Sequence, residues 1–174
     1  MGREGERQEY LEKITTIPKE TIVYVDESGI KAYYQRLYAY ALMGMSVYCS
    51  KKESQRKVMN IIGAYCNGKH IAIKMYEHTT DSAFFEKWFS QALLPEVPGG
   101  FTIIMDNASF HREQALLSLI KESGKNITLL FLPAYSPDFN PIEKSWGNLK
   151  KFLRHFSRHF DSLPLAISHS FHLV

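Results

Sequence analysis

The 174-residue sequence predicts one α/β domain built on a mixed sheet, and three observations carry that expectation. Two short β-branched and apolar runs, 21–25 and 101–105, each close on an aspartate. Two longer apolar tracts flank Asn67-Gly68, the dipeptide of a tight hairpin turn. Segments with apolar residues at helical spacing then alternate with strands, the order of elements that accompanies parallel pairing. With 45% hydrophobic residues, the chain can bury one substantial core but is short for two.

Residues 1–20 are polar and read as a loose lead-in, with the domain itself at 21–160 and a tail at 161–174. The run Thr21-Ile22-Val23-Tyr24-Val25 has strand composition and stops at Asp26-Glu27-Ser28-Gly29. Tracts 58–66 and 71–76 form the antiparallel pair around the Asn-Gly turn. Thr79-Thr80-Asp81 supplies cap-type residues, and Phe84, Phe85, Trp88, Phe89 and Leu93 fall at helical spacing before Pro95. These aromatics read as core. Residues 101–105 form a buried strand closed by Asp106-Asn107, 112–122 a helix ending near Gly124, and 127–132 a strand closed by Pro133. The last strong element is a helix beginning near Pro141. No internal repeat is present.

Charge alone does not mark a nucleic-acid binder, because 21 Lys+Arg against 18 Asp+Glu leave a formal +3. Its distribution is more informative. From Lys144 onward the chain carries Lys150, Lys151, Arg154 and Arg158, with His155 and His159 interleaved and Asp161 as the sole acid. Such a run suits a polyanion, and it equally describes a solvated helix face. Cys49 and Cys66, the only cysteines, stand in neither a CxxC pair nor zinc-finger spacing and read as free thiols. The apolar stretch 37–49 is broken by glycine and falls short of the ~20 residues of a bilayer span. The charged start MGREGERQEYLEK has no signal-peptide core and no myristoylation serine or threonine, so a cytoplasmic protein is expected.

Asp26 and Asp106 each follow a run that looks buried on both faces, so adjacent strands can bring them together at the mouth of the sheet. Like charges that close require a proton or a cation between them, and hard oxygen donors suit Mg²⁺ or Mn²⁺. Glu143 is ambiguous. In LPAYSPDFNPIEKSWGNLK, Asn140-x-x-Glu143 has the spacing of a capping box, with Pro141 at the first helical position. Against that, Glu143, Gly147, Lys150 and Arg154 share one stripe beside the apolar Ile142, Trp146, Leu149 and Leu153, which would set the acid over a phosphate backbone. Glu27, by strand alternation, faces away from Asp26. Asp81 and Asp138 sit where capping explains them.

YVDESGI, GAYCNGK, TTDSAFFEKWF, IIMDNASFH and LPAYSPDFNPIEKSWGNLK together resemble the DDE catalytic domain of insertion-sequence transposases in the mariner-related superfamily, over about 22–154. The resemblance implies a ribonuclease-H-like fold with a five-stranded mixed sheet. It puts Asp26, Asp106 and Glu143 on the three metal-binding acids, which would hold two Mg²⁺ or Mn²⁺ ions with Asp26 bridging them. It implies cleavage at transposon ends, then strand transfer into target DNA through the same site. Asn107 and His111 match positions beside the second acid, where either could contact the scissile phosphate or orient water; a structural histidine fits as well. Lys150, Lys151 and Arg154 are the expected DNA contacts. Double-stranded DNA, a homodimer that pairs two ends, a helix-turn-helix segment encoded separately, and a bacterial, nucleoid-associated location are the expected partners and setting. Ala41-Leu42-Met43-Gly44 lacks the proline and basic residue that relatives carry there. The alternatives are a non-catalytic, domesticated DNA-binding remnant and another nuclease of the same fold.

Overall fold

The computed structural model describes residues 3–31, 43–44 and 58–171. Cys49, most of the apolar stretch 37–49, and Ala41-Leu42 lie outside the described residues.

Five strands form one sheet: β1 (Ile22–Lys31), β2 (Val58–Cys66), β3 (Lys69–Tyr76), β4 (Thr102–Met105) and β5 (Thr128–Phe131), in the spatial order β3-β2-β1-β4-β5. β1 pairs antiparallel with β2 and parallel with β4, and β5 runs parallel to β4, so the sheet is mixed as expected. The hairpin between β2 and β3 turns on Asn67 and Gly68, both at positive φ (50° and 79°), a two-residue turn whose twist matches the flanking strands.

Helices cover both faces. On one side α2 (Ser82–Trp88) opens with Asp81 accepting from the Phe84 N–H at 2.8 Å, then continues through a wide turn at Phe89–Leu93 into α3 (Leu94–Glu96). Pro95 therefore does not end the helix where the sequence suggested. The loosened hydrogen bonding of the wide turn accommodates it, and the Lys125 ammonium gathers the exposed carbonyls of Leu94, Pro95 and Val97 at 2.5–3.2 Å. With α4 (Glu113–Glu122), this layer packs Phe85, Trp88, Phe89, Leu93 and Leu116 onto Val23, Val25, Ile103 and Met105. The predicted aromatics are core, as expected.

On the other side lie α5 (Pro141–Phe156) and α6 (Leu163–Phe171), which bury Ile142, Trp146, Leu149, Leu153 and Ile167 against Ile30, Met59 and Ile61. Two segments differ from the sequence reading. The polar start is the helix α1 (Arg3–Thr15), docked through the buried Tyr10, whose ring stacks on Phe139 at 5.1 Å, and through an Arg7–Asp138 ion pair of 2.6 Å. The expected tail contains α6. Among the described residues, no helix is long and apolar enough to cross a membrane.

Candidate metal-dependent nuclease site

The site exists because β1 outlasts its parallel neighbour. β1–β4 pairing ends at Tyr24 opposite Ile104, while β1 goes on beside β2 to Lys31. Asp26 is therefore an interior strand residue, opposite Gly63, and not the strand end that the sequence implied. Glu27 to Lys31 look like a loop in isolation; β2 supplies the antiparallel partner that keeps them extended. Asp106 does follow the last residue of β4. Side-chain alternation puts Ile22, Tyr24 and Asp26 on the face shared with Ile104 and Asp106. Glu27 points to the opposite face, toward His111, as alternation requires.

Asp26, Asp106 and Glu143 line one cavity of about 780 Å³, whose further wall comes from α1 and the 130–140 segment. Burial is unequal among them. Asp106 and Glu143 are exposed and Asp26 is partly buried. Burial first, then the charges of Glu27, Glu143 and Asp106, push the Asp26 carboxyl up to about 7. Its Oδ2 accepts a hydrogen bond from the Trp146 indole N–H at 3.1 Å. Opposite Asp26, a Cβ on Gly63 would run into the Ile73 Cδ1 methyl, with the Trp146 ring at ordinary contact distance, 3.5 Å. Trp146 was predicted as core, and it is 3% exposed, but its bond to Asp26 was not anticipated.

Asp106 is held from behind. The His111 Nδ1–H lies 3.0 Å from Asp106 Oδ1 and 2.9 Å from the Asp106 carbonyl, and Nε2 lies 3.4 Å from Glu27 Oε1. Burial works to lower the imidazole pKa, but the bonds to Asp106 and Glu27 outweigh it and hold His111 up to about 9. The same hydrogen bond from His111 holds Asp106 below the usual carboxylate range. With a side chain 1% exposed, His111 is not placed to touch a DNA phosphate; it orients Asp106. Asn107 is exposed on the cavity wall.

At Glu143 the capping alternative is not realised. Asn140 makes no side-chain cap, and its Oδ1 is buried without a partner. Only its backbone carbonyl engages the helix, accepting from the Glu143 N–H at 3.1 Å. No reciprocal capping box forms, so the Glu143 carboxylate stays at the cavity. The turn ahead of it is stiff: Tyr135 takes φ 56°, and Arg7 donates to the buried Ser136 Oγ at 2.9 Å. Asp138 pairs with Arg7, and Asp81 caps α2; neither lines the cavity. Lys150, Lys151 and Arg154 are exposed along α5.

Among the described residues, no three His, Cys, Asp or Glu side chains converge tightly enough, as they stand, to encircle an ion. The donor chemistry nevertheless fits a hard divalent cation. Three carboxylates face one cavity, and burial and its neighbours' charge push the innermost up to about 7. Glu143, being exposed, has rotamer freedom to close on it, while His111 fixes Asp106.

A family profile described as DDE superfamily endonuclease matches residues 21–164. The chain belongs to that family. The match spans Asp26, Asp106 and Glu143. Solved structures with the same fold include a pre-cleavage Mos1 transpososome (18% identity, TM-score 0.63, 84% of this chain and 47% of that one). The Mos1 strand transfer complex matches similarly (20%, TM-score 0.62, 84% and 46%), as does the mariner Mos1 paired end complex with Mg (19%, TM-score 0.63, 97% and 60%). At these identities the likeness establishes the ribonuclease-H-like fold of the DDE domain. The chain spans about half the length of the first of these chains. No curated protein sequence matches significantly.

Proposed function

We propose that this domain is the catalytic part of a transposase, cutting DNA at transposon ends and joining the freed ends to target DNA. The observation that carries this reading is the partly buried Asp26 carboxyl, pushed up to about 7, in one cavity with Asp106 and Glu143. An acid held in that state is a liability to the fold unless a cation takes the proton's place. The Mos1 structures with Mg and with Mn support a divalent ion of that kind here.

Two divalent ions, when bound, would supply electrostatic stabilisation of the attacking and leaving oxygens at phosphorus. Asp26 would hold both, with Asp106 and Glu143 each completing one side. The chain's own contribution is to fix these donors. Trp146 occupies Asp26 Oδ2 and limits that carboxylate's rotation, and His111 does the same for Asp106. Asn107 is available to bond a non-bridging phosphate oxygen. Double-stranded DNA lies along the exposed basic side of α5, and two copies of the chain pair the two ends, as the paired-end assemblies of Mos1 support.

Asp106→Asn tests the reading. It removes a ligand charge at almost constant volume, while the amide oxygen can still accept from His111. Divalent-ion-dependent nicking of a duplex with the element's terminal sequence should fall at least a thousandfold, with circular dichroism unchanged and EDTA silencing the wild type. Undiminished nicking by the folded variant removes Asp106 from the site.

A further inference from the structure

A second cavity, of about 280 Å³, opens where the end of β1 meets α5 and the start of α6. Its rim carries Lys31, Lys150 and Arg154 with the Ser157 hydroxyl, and its floor is apolar, formed by the buried Ile30, Leu153 and Leu163. No acidic residue lines it, and none of the three cations is in an ion pair among the described residues. Three unpaired cations around one hollow repel each other unless an anion sits among them. An apolar floor below such a rim suits a sugar–phosphate unit better than a free inorganic ion.

Its position relative to the acids is set by one helix. Glu143, Gly147, Lys150 and Arg154 succeed one another at intervals of three and four residues, so they share a stripe of α5. Gly147 leaves that stripe bare: a Cβ there would meet nothing within 4 Å. At 1.5 Å rise per residue, Lys150 and Arg154 lie about 10 and 16 Å along the axis from Glu143. For a duplex axis parallel to α5, with each strand advancing 3.4 Å per nucleotide along it, that span covers roughly three to five nucleotides.

Resting on the reading of the acid site given above, we infer that this cavity is a second, non-catalytic phosphodiester anchor. It grips one backbone phosphate three to five nucleotides from the bond that is cut, with the sugar against Ile30, Leu153 and Leu163. Lys31, contributed by β1 and not by the helix, makes the grip two-sided.

Phosphate-by-phosphate neutralisation tests this. A set of duplexes, each with one methylphosphonate, is bound to the full chain in Ca²⁺, and Fe²⁺-generated radical cleavage marks the nucleotide lying at the acids. In the wild type, one neutral linkage three to five nucleotides from that mark should weaken binding roughly three- to tenfold, the effect of a single charge-assisted contact. In Lys31→Ala and Arg154→Ala the same linkage should cost nothing further, and the salt slope should fall by about one. An equal penalty in variant and wild type, or none in that window for the wild type, overturns the anchor. Absence of Mg²⁺-dependent nicking together with the expected interference pattern counts against the proposed reaction and leaves the anchor standing.

Discussion

Asp26→Asn should make the metal-free protein more stable, by an amount that depends on pH in a prescribed way. A carboxyl held up to about 7 in the fold, and near 3.9 in the unfolded chain, binds its proton more tightly when folded. Below both values the group is protonated in either state and contributes no difference. As pH rises from about 4 to 7 the unfolded chain ionises first, and the fold pays the cost of keeping the group neutral or of ionising it in place. At about 1.4 kcal/mol per pH unit, that cost is on the order of 1.5 kcal/mol at pH 5 and 4 kcal/mol at pH 8. Asparagine escapes it, retains an oxygen for the Trp146 N–H, and gives back roughly 1–2 kcal/mol for an imperfectly bonded buried amide. The net gain at pH 8 is then about 2 kcal/mol, or about 4–8 °C in melting temperature for a chain of this size. Urea unfolding in EDTA at pH 5 and pH 8 reads the difference directly. Adding Mg²⁺ should stabilise only the wild type, by about 2.7 kcal/mol at a hundred times its dissociation constant. A variant no more stable than wild type at pH 8, or a difference that does not grow between pH 5 and pH 8, refutes the reasoning.

Trp146→Phe removes the donor to Asp26 while keeping most of the buried ring; it should cost about 1–3 kcal/mol in urea unfolding and raise the Mg²⁺ concentration for half-maximal nicking, whereas a purely packing role would leave that concentration unchanged. Trp88→Phe strands the Ala72 carbonyl, which accepts from the indole at 2.7 Å inside the core, and should destabilise by about 2–4 kcal/mol with no change in metal response. Arg7→Ala breaks the ties to Asp138, Ser136 and the Phe139 face; hydrogen exchange over 3–15 should quicken while the sheet amides stay protected, and uniform exchange across both would deny α1 its docking role.

The sheet was legible because its information is local. The runs at β4 and β5 are β-branched and apolar, and the Asn67-Gly68 turn specifies its hairpin by the φ values it tolerates. The second half of β1 was not legible: Glu27, Ser28 and Gly29 carry no strand propensity, and only pairing with residues some thirty positions later extends them. α1 escaped notice for a related reason. Its composition is polar, and what docks it is an ion pair to Asp138, 131 residues away in sequence. The side chains that support the site were hidden in the same manner. Trp146 reads as one more apolar position in α5, and its bond to Asp26 spans 120 residues. His111 left a faint signal, a histidine a few residues after a strand-end acid, but not the direction in which it points.

Glu143 shows how a local rule can be satisfied in sequence and declined in structure. A capping box needs the Asn140 side chain to turn toward the helix N–H groups, yet Asn140 is 4% exposed and its Oδ1 is buried without a partner. The turn ahead of it is itself anchored to α1, by Arg7 at Ser136 and Asp138. The helix start thereby gives up a bond worth about 1 kcal/mol. In exchange the first turn of α5 presents a carboxylate that no neighbouring amide engages. On the reading proposed above, this carboxylate and the partly buried Asp26 are the pair that a divalent cation would come between.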